Sequence, residues 1–166
     1  LPFTFLPGLL SHTGFQGNAT FIKSDATYTI TGPATDACTR ASAAAACTLT
    51  GVAKAYSNTL LNVSKRAWNA TLYYDDGKLS VRGSVSYRGP FDDGTSGTGN
   101  VFEGYGSYTS VDASLRYKLF SWVELSVDGN NLTDAYRYRY ADNSAERNYE
   151  NNHFGRTILF GARFKY

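Results

Sequence analysis

Few residues of this chain stand in arrangements that perform covalent chemistry. Asp75-Asp76 and Asp92-Asp93 are adjacent carboxylates of the kind that share acid and base roles. Each pair runs straight into a glycine, Gly77 or Gly94. In that context Asp serves turn geometry by hydrogen-bonding its own backbone. Ser, His and Asp occur without a nucleophile signature. His12 and His153 lie far apart, and neither is near Cys38 or Cys47. No metal-ligand spacing results, and no metal is expected. Cys38 and Cys47 are expected to form a disulfide in an oxidising compartment, with free thiols as the alternative. Gly94-Thr95-Ser96-Gly97-Thr98-Gly99 is glycine-rich, but no helical pattern follows it, so it is not a phosphate cradle. The chain is therefore not expected to be an enzyme or to hold a cofactor. The residues best suited to contact a ligand are Tyr136, Arg137, Tyr138, Arg139 and Tyr140. Alternating rings and guanidinium groups offer stacking faces and charge-assisted donors, suited to sugars or ferric chelates. Simple strand extension with rim contacts explains the same run equally well.

The elements that position these residues read as strands. Aromatics make up 15% of the 166 residues, with 13 Tyr and 10 Phe, and there are 16 Gly. That balance suits strands and turns better than helices. The net charge of +2 argues against a nucleic-acid partner, which needs a basic face. No run approaches the ~18 apolar residues of a membrane-spanning helix. Barrel strands are not excluded by this, because they alternate lipid-facing and lumen-facing residues. The apolar start, Leu1 to Leu10, lacks a basic leading region and is broken by Pro2 and Pro7, so it is not a signal peptide. With no Met in the chain, it is expected to be a processed product or a piece of something longer.

Period-two alternation is strongest at the end of the chain. Ile158, Phe160, Ala162, Phe164 and Tyr166 form one apolar set, interleaved with Thr157, Leu159, Gly161, Arg163 and Lys165. Similar alternation predicts six antiparallel strands over 14–28, 62–75, 78–89, 107–118, 121–132 and 153–166. Several exceed the 5–6 residues of a typical globular strand and reach the ~9–11 needed to cross a bilayer. Asp75-Asp76-Gly77 and Leu119-Phe120-Ser121 predict short turns, whereas 29–61, 90–106 and 133–152 are long. Strict alternation of short and long connections is the loop asymmetry of an outer-membrane barrel. Phe120, Trp122 and Tyr166 would then mark one membrane interface, and Tyr87 and Phe91 the other. Arg82, Arg88, Arg116, Lys118, Glu124 and Asp128 project from the opposite face. A lipid-facing Arg or Lys costs roughly 2–4 kcal/mol at mid-bilayer, so that face must be wet or covered by protein.

Gly129-Asn130-Asn131-Leu132-Thr133-Asp134 with Tyr136, followed by Gly155-Arg156-Thr157 and Gly161-Ala162-Arg163-Phe164-Lys165-Tyr166, resembles the end of TonB-dependent outer-membrane receptors. Leu6-Pro7-Gly8-Leu9-Leu10, Gly14 to Thr20, Lys23-Ser24 and Val85 to Pro90 resemble the same family's barrel. The ordered set covers most of the chain outside the Cys38–Cys47 loop and is closest to carbohydrate-type receptors of alphaproteobacteria. The resemblance implies a 22-stranded barrel around an N-terminal plug. It also implies an assembly signal in the last strand, here Phe160, Phe164 and Tyr166, although that signal usually ends in Phe.

The expected fold class is all-β: about six antiparallel transmembrane strands forming part of a larger barrel, with residues 1–166 its C-terminal portion and no plug. An open sheet leaves two unpaired edges in lipid, so missing strands must come from elsewhere. The implied function is TonB-dependent uptake of a scarce nutrient, an oligosaccharide or ferric siderophore, to which this chain gives barrel wall and extracellular loops. A non-transporting structural or adhesive barrel, closed by several chains, is the alternative, and a soluble β-rich module is the third reading. Implied partners are outer-membrane lipid and lipopolysaccharide, the rest of the barrel and plug, the TonB complex through that plug, and the barrel assembly machinery. The implied location is the bacterial outer membrane, with the C-terminus in the periplasm.

Overall fold

The alternating segments do form strands. A computed structural model describes residues 1–32, 52–94, 102–141 and 147–165. Cys38, Cys47 and Tyr166 lie outside the described residues. The strands are β1 (Thr13–Phe21), β2 (Ala26–Gly32), β3 (Val52–Asn58), β4 (Arg66–Asp75), β5 (Leu79–Arg88), β6 (Phe91–Asp92), β7 (Gly104–Tyr105), β8 (Tyr108–Phe120), β9 (Val123–Asn130), β10 (Arg137–Tyr140), β11 (Asn148–Asn152) and β12 (Thr157–Phe164). Among the described residues there is no α-helix, only a 3-10 turn at Gly8–His12.

Six of these strands form one sheet in the order β1-β4-β5-β8-β9-β12, every neighbouring pair antiparallel. They correspond to the six expected segments, but three expectations need correction. The segment 14–28 is not one strand. It breaks after Phe21, and Ala26–Gly32 turns away to pair with β3 in a separate two-stranded sheet. The long connections are not loops throughout, because β6, β7, β10 and β11 form a small sheet there, in the order β11-β10-β7-β6. The last strand begins at Thr157 rather than 153, after Gly155 at φ 76°. The sheet does not close into a barrel: β1 and β12 are its two edges. Leu1–Phe3 lies along part of the β1 edge, where Phe15 N–H donates to Leu1 O at 2.9 Å and Phe3 N–H to Thr13 O at 2.9 Å.

Register decides the chemistry of the two faces. Residues opposite each other in a ladder project to the same side. The pairs Phe15↔Leu72, Leu72↔Gly83, Val85↔Val111, Leu115↔Val127 and Val127↔Phe160 therefore join one apolar face across all six strands. Gln16↔Thr71, Thr71↔Ser84, Ser84↔Asp112, Ser114↔Asp128 and Asp128↔Leu159 join the other face, which carries Arg82, Arg116, Lys118, Glu124 and Arg163. A slip of one residue anywhere would mix the two.

Neither face of this sheet is buried. Among the described residues only Phe91, Val123 and Tyr140 are buried hydrophobics, and Phe160 is 80% exposed. The accessible surface is 11578 Å², against roughly 8,100 Å² for a globular protein of this mass. A sheet with one apolar face normally buries it against a second layer. Among the described residues no second layer covers the sheet, while its ladder is intact.

Both short turns have local causes. In the β4–β5 turn the Asp76 carboxylate accepts from Lys78 N–H at 2.9 Å, Leu79 N–H at 2.7 Å and Tyr74 O–H at 2.9 Å. The two backbone donors, then the tyrosine, hold its pKa down to about 2. Gly77 takes φ 85°, a conformation in which a Cβ would be strained. In the β8–β9 turn a bulge between Lys118 and Phe120 puts Phe120 opposite Val123. Trp122 then stacks on Phe120 at 5.7 Å and on Phe164 at 6.3 Å between ring centres. At the other end of the same face Trp68 stacks on Tyr87 at 5.6 Å. Phe91, expected beside Tyr87, instead packs inward with the Arg88 guanidinium 3.7 Å above its ring.

Candidate functional site

The long connections converge at one end of the sheet, where β5–β6, β7–β8 and the β9–β12 connection meet. The small sheet sets Arg139 opposite Tyr105 on one side and Glu150 on the other. Arg139 Nη2 donates to both Asp93 oxygens, at 3.1 and 3.0 Å, and lies 3.8 Å from Glu103 Oε1. Its Nη1 lies 3.8 Å from Glu150 Oε2. The guanidinium also sits 4.8 Å from the centre of the Tyr105 ring. Asp93 and Glu103 are buried, and Asp93 N–H donates to Glu103 O at 2.9 Å. Buried carboxylates persist only with such compensation.

Asp92 is held beside them. Its Oδ1 accepts from Tyr140 O–H and its Oδ2 from Asn58 Nδ2, both at 2.9 Å. Its carbonyl accepts Asn62 N–H at 2.7 Å. This network ties the β2–β3 sheet, through Asn58, to the β6–β7–β10 sheet. The sequence reading of Asp92-Asp93 as turn formers is thus corrected: both lie buried against other strands. Asn58, Glu103 and Glu150 were not recognised from sequence. The available signal was charge complementarity between Asp92-Asp93 and the Arg137–Arg139 run, but only the pairing of β7 with β10 shows that they meet.

The five expected ligand contacts are brought together but fall into two groups. Arg139 and Tyr140 are turned into the network just described. Tyr138 packs its ring against Gly106, where a Cβ would overlap it, and Gly106 N–H donates to Tyr138 O at 3.0 Å. Arg137 lies over two rings, 5.4 Å from Tyr105 and 5.6 Å from Tyr108, and is half-buried. Tyr136 precedes the strand, is exposed, and meets His153 edge-on at 6.4 Å. Of the five, only Tyr136 is exposed, and Tyr140 is buried. The buried carboxylates of Asp93 and Asp92 hold Arg139 and Tyr140.

Asn131 links this region to the last strand. With φ 52° its side chain donates to Ala135 O at 2.9 Å and Gly155 O at 3.0 Å, and accepts Ala135 N–H at 2.9 Å. Asp134 Oδ1 lies 3.1 Å from His153 Nε2, and its Oδ2 lies 3.8 Å from Arg156 Nη2. Of the expected assembly-signal residues, Phe160 and Phe164 project from the apolar face of β12 and are exposed. Among the described residues no group of acidic, His or Cys side chains could hold a metal ion. Compared with known proteins, the chain matches no family model, no curated protein and no solved structure.

Proposed function

We propose that this chain is part of the wall of an outer-membrane β-barrel of the TonB-dependent receptor type. It contributes strands and extracellular loops to active uptake of a scarce nutrient such as an oligosaccharide or ferric siderophore. The observation that carries this reading is the common register: six strands present apolar residues to one side and Arg, Lys, Asp and Glu to the other, with no second layer on either among the described residues. In water such a sheet would expose its apolar face. In a bilayer that face meets lipid and the charged face lines a wet lumen.

The dimensions agree. Thr109, level with Tyr87, and Phe120 mark the two aromatic clusters along β8. They are separated by roughly 36 Å at about 3.3 Å per residue. A tilt of about 40° projects this to roughly 28 Å, close to the ~25 Å apolar band of outer-membrane barrels. The short turns then face the periplasm, with the C-terminus, and the small sheets face outward. Tyr136 and Arg137 are the external ligand contacts in this reading. The edges of β1 and β12 pair with strands of the remaining barrel, which encloses the plug that engages TonB. Lipid, lipopolysaccharide and the assembly machinery are the other partners.

Extraction tests the reading. The protein is expected to leave bacterial membranes only with detergent and to migrate differently on gels before and after boiling. A monodisperse, monomeric chain without detergent would overturn it. A plug-like domain encoded ahead of Leu1 would separate a transporter from a passive barrel, and finding only a signal peptide there would remove the transport part.

A further inference from the structure

We infer that the outward end of the charged face binds an acidic oligosaccharide, with a carboxylate of the sugar held by Arg137 and Arg88. The inference rests on the membrane reading above and narrows its solute from a nutrient of unspecified charge to one that bears uronate groups. Arg88 closes β5 and pairs with Ala67 and Tyr108, so it shares the face of Asn69, Ser86 and Ser110. Its guanidinium stacks on Phe91, and Phe91 meets Tyr105 at 5.4 Å between ring centres. Arg137 lies over Tyr105 and Tyr108 in turn. Two guanidinium groups and three rings thus form one cluster at the end of the wall.

Charge sets these two arginines apart from their neighbour. Arg139 stands two residues along β10 from Arg137 and is matched by Asp93, Glu103 and Glu150. Among the described residues neither Arg88 nor Arg137 makes an ion pair. They are close enough to repel each other. Arg88 donates to Ser64 Oγ and to Asn62 O, both at 3.0 Å. Arg137 makes no hydrogen bond among the described residues. A guanidinium stacked on a ring keeps its in-plane N–H donors for an oxyanion, which its planar fork can grip at two points. An oxyanion set between the two cations also relieves their repulsion. Asp112, the first carboxylate inward along β8, does not supply it. It stands four residues from Tyr108, about 13 Å along the strand. It already accepts Ser110 O–H at 3.1 Å and Asn131 N–H at 2.8 Å.

Inward of the arginines the same face is neutral and suited to hydrogen bonding. Asn69, Ser86 and Ser110 stand in one row across β4, β5 and β8, and Thr71 and Ser84 in the next. These rows lie about 7 and 13 Å from Arg88 along the strand. The side chains of Asn69, Thr71, Ser84 and Ser86 make no hydrogen bond among the described residues. Hydroxyl and amide groups both donate and accept, which is what sugar hydroxyls require. A simple anion would use the arginines and leave these rows to water. A neutral sugar would use the rows and leave two cations facing each other. An oligosaccharide that carries carboxylates uses both.

The test titrates the protein, extracted from its membrane in mild detergent, by calorimetry. The probes are trigalacturonate, trimannuronate, the uncharged methyl ester of each, and acetate. The parent is expected to bind at least one uronate at least tenfold more tightly than its ester. Arg137→Gln, which breaks no hydrogen bond among the described residues, is expected to remove that preference while heat-modifiable migration persists. Arg137→Lys, which keeps the charge without the fork, is expected to recover part of it. Arg82→Gln, six residues inward on β5, is expected to leave it intact. Equal binding of acid and ester, no binding of either uronate, or a preference that survives Arg88→Gln combined with Arg137→Gln would overturn this site and spare the membrane reading. Displacement of the uronate by millimolar acetate would show a simple anion site and overturn the oligosaccharide. A chain that is monomeric and monodisperse without detergent would overturn both readings.

Discussion

Single side chains hold the turns and strand ends of this sheet, and two of them can be tested alone. Asn131 makes three side-chain hydrogen bonds that tie the end of β9 to Ala135 and Gly155 while its backbone sits at φ 52°. Asn131→Ala loses all three and keeps an unfavourable left-handed backbone. At about 1 kcal/mol per bond, the β9–β12 pairing should weaken by roughly 2–4 kcal/mol. Denaturant unfolding followed at Trp122 should show it, and an unchanged midpoint would rule out this role. Asp76 gives a pH dependence. Its folded pKa lies near 2, below the ordinary carboxylate value of 3.8. A depressed pKa stabilises the turn above the unfolded value, and the contribution disappears as pH falls from about 4 through 2. Amide exchange at Lys78 and Leu79 should therefore accelerate, relative to other turn amides, across that window. Asp76→Asn should remove the step, and a step that survives the substitution would assign it to another group. Asp75-Asp76-Gly77 was readable as a turn because its hydrogen bonds are local. Asp92-Asp93 was misread because its partners Tyr140 and Arg139 lie more than forty residues away.

Strands are where the two faces can be told apart. Leu115 projects from the apolar face between Val81 and Val127, while Ser114 projects from the charged face between Arg82 and Asp128. Leu115→Arg should cost roughly 2–4 kcal/mol in the membrane and sharply reduce the inserted fraction, while Ser114→Arg should insert like the parent. Equal insertion of the two variants would mean that neither face meets lipid. The last strand makes a second prediction at this scale. Phe160 and Phe164 stand exposed on the apolar face of β12, an edge strand with no partner beyond it among the described residues. Deleting the side chains of Phe164 and Tyr166 together, by substitution with Ala, should block membrane assembly and send the chain to degradation. Normal insertion would count against an assembly signal in this strand. Alternation made these six strands legible from sequence. The expected strand 14–28 failed beyond Phe21, where the alternation stops at Lys23 and Asp25 and the chain leaves the sheet to pair β2 with β3.

At the scale of the molecule, the six-stranded sheet is complete in its ladder and incomplete in its surroundings. Covering either face, or pairing β1 and β12 with further strands, would lower the large exposed area, which is why the proposed setting is a larger wall in lipid. Growth on a limiting nutrient offers a check at this scale. If Tyr136 and Arg137 contact the transported solute, Tyr136→Ala with Arg137→Ala should reduce uptake at least tenfold with the protein still inserted, and unchanged uptake would move the contact elsewhere. The sequence alone determined the strand character, the two chemistries and the alternation of short and long connections, because a period of two and a turn signal act over a few residues. Only the tertiary structure decided that all six apolar sets share one face and that Arg139 and Tyr140 turn inward onto Asp93 and Asp92. Those facts depend on register and on contacts between residues far apart in the chain, and no local pattern encodes which distant strand a residue will face.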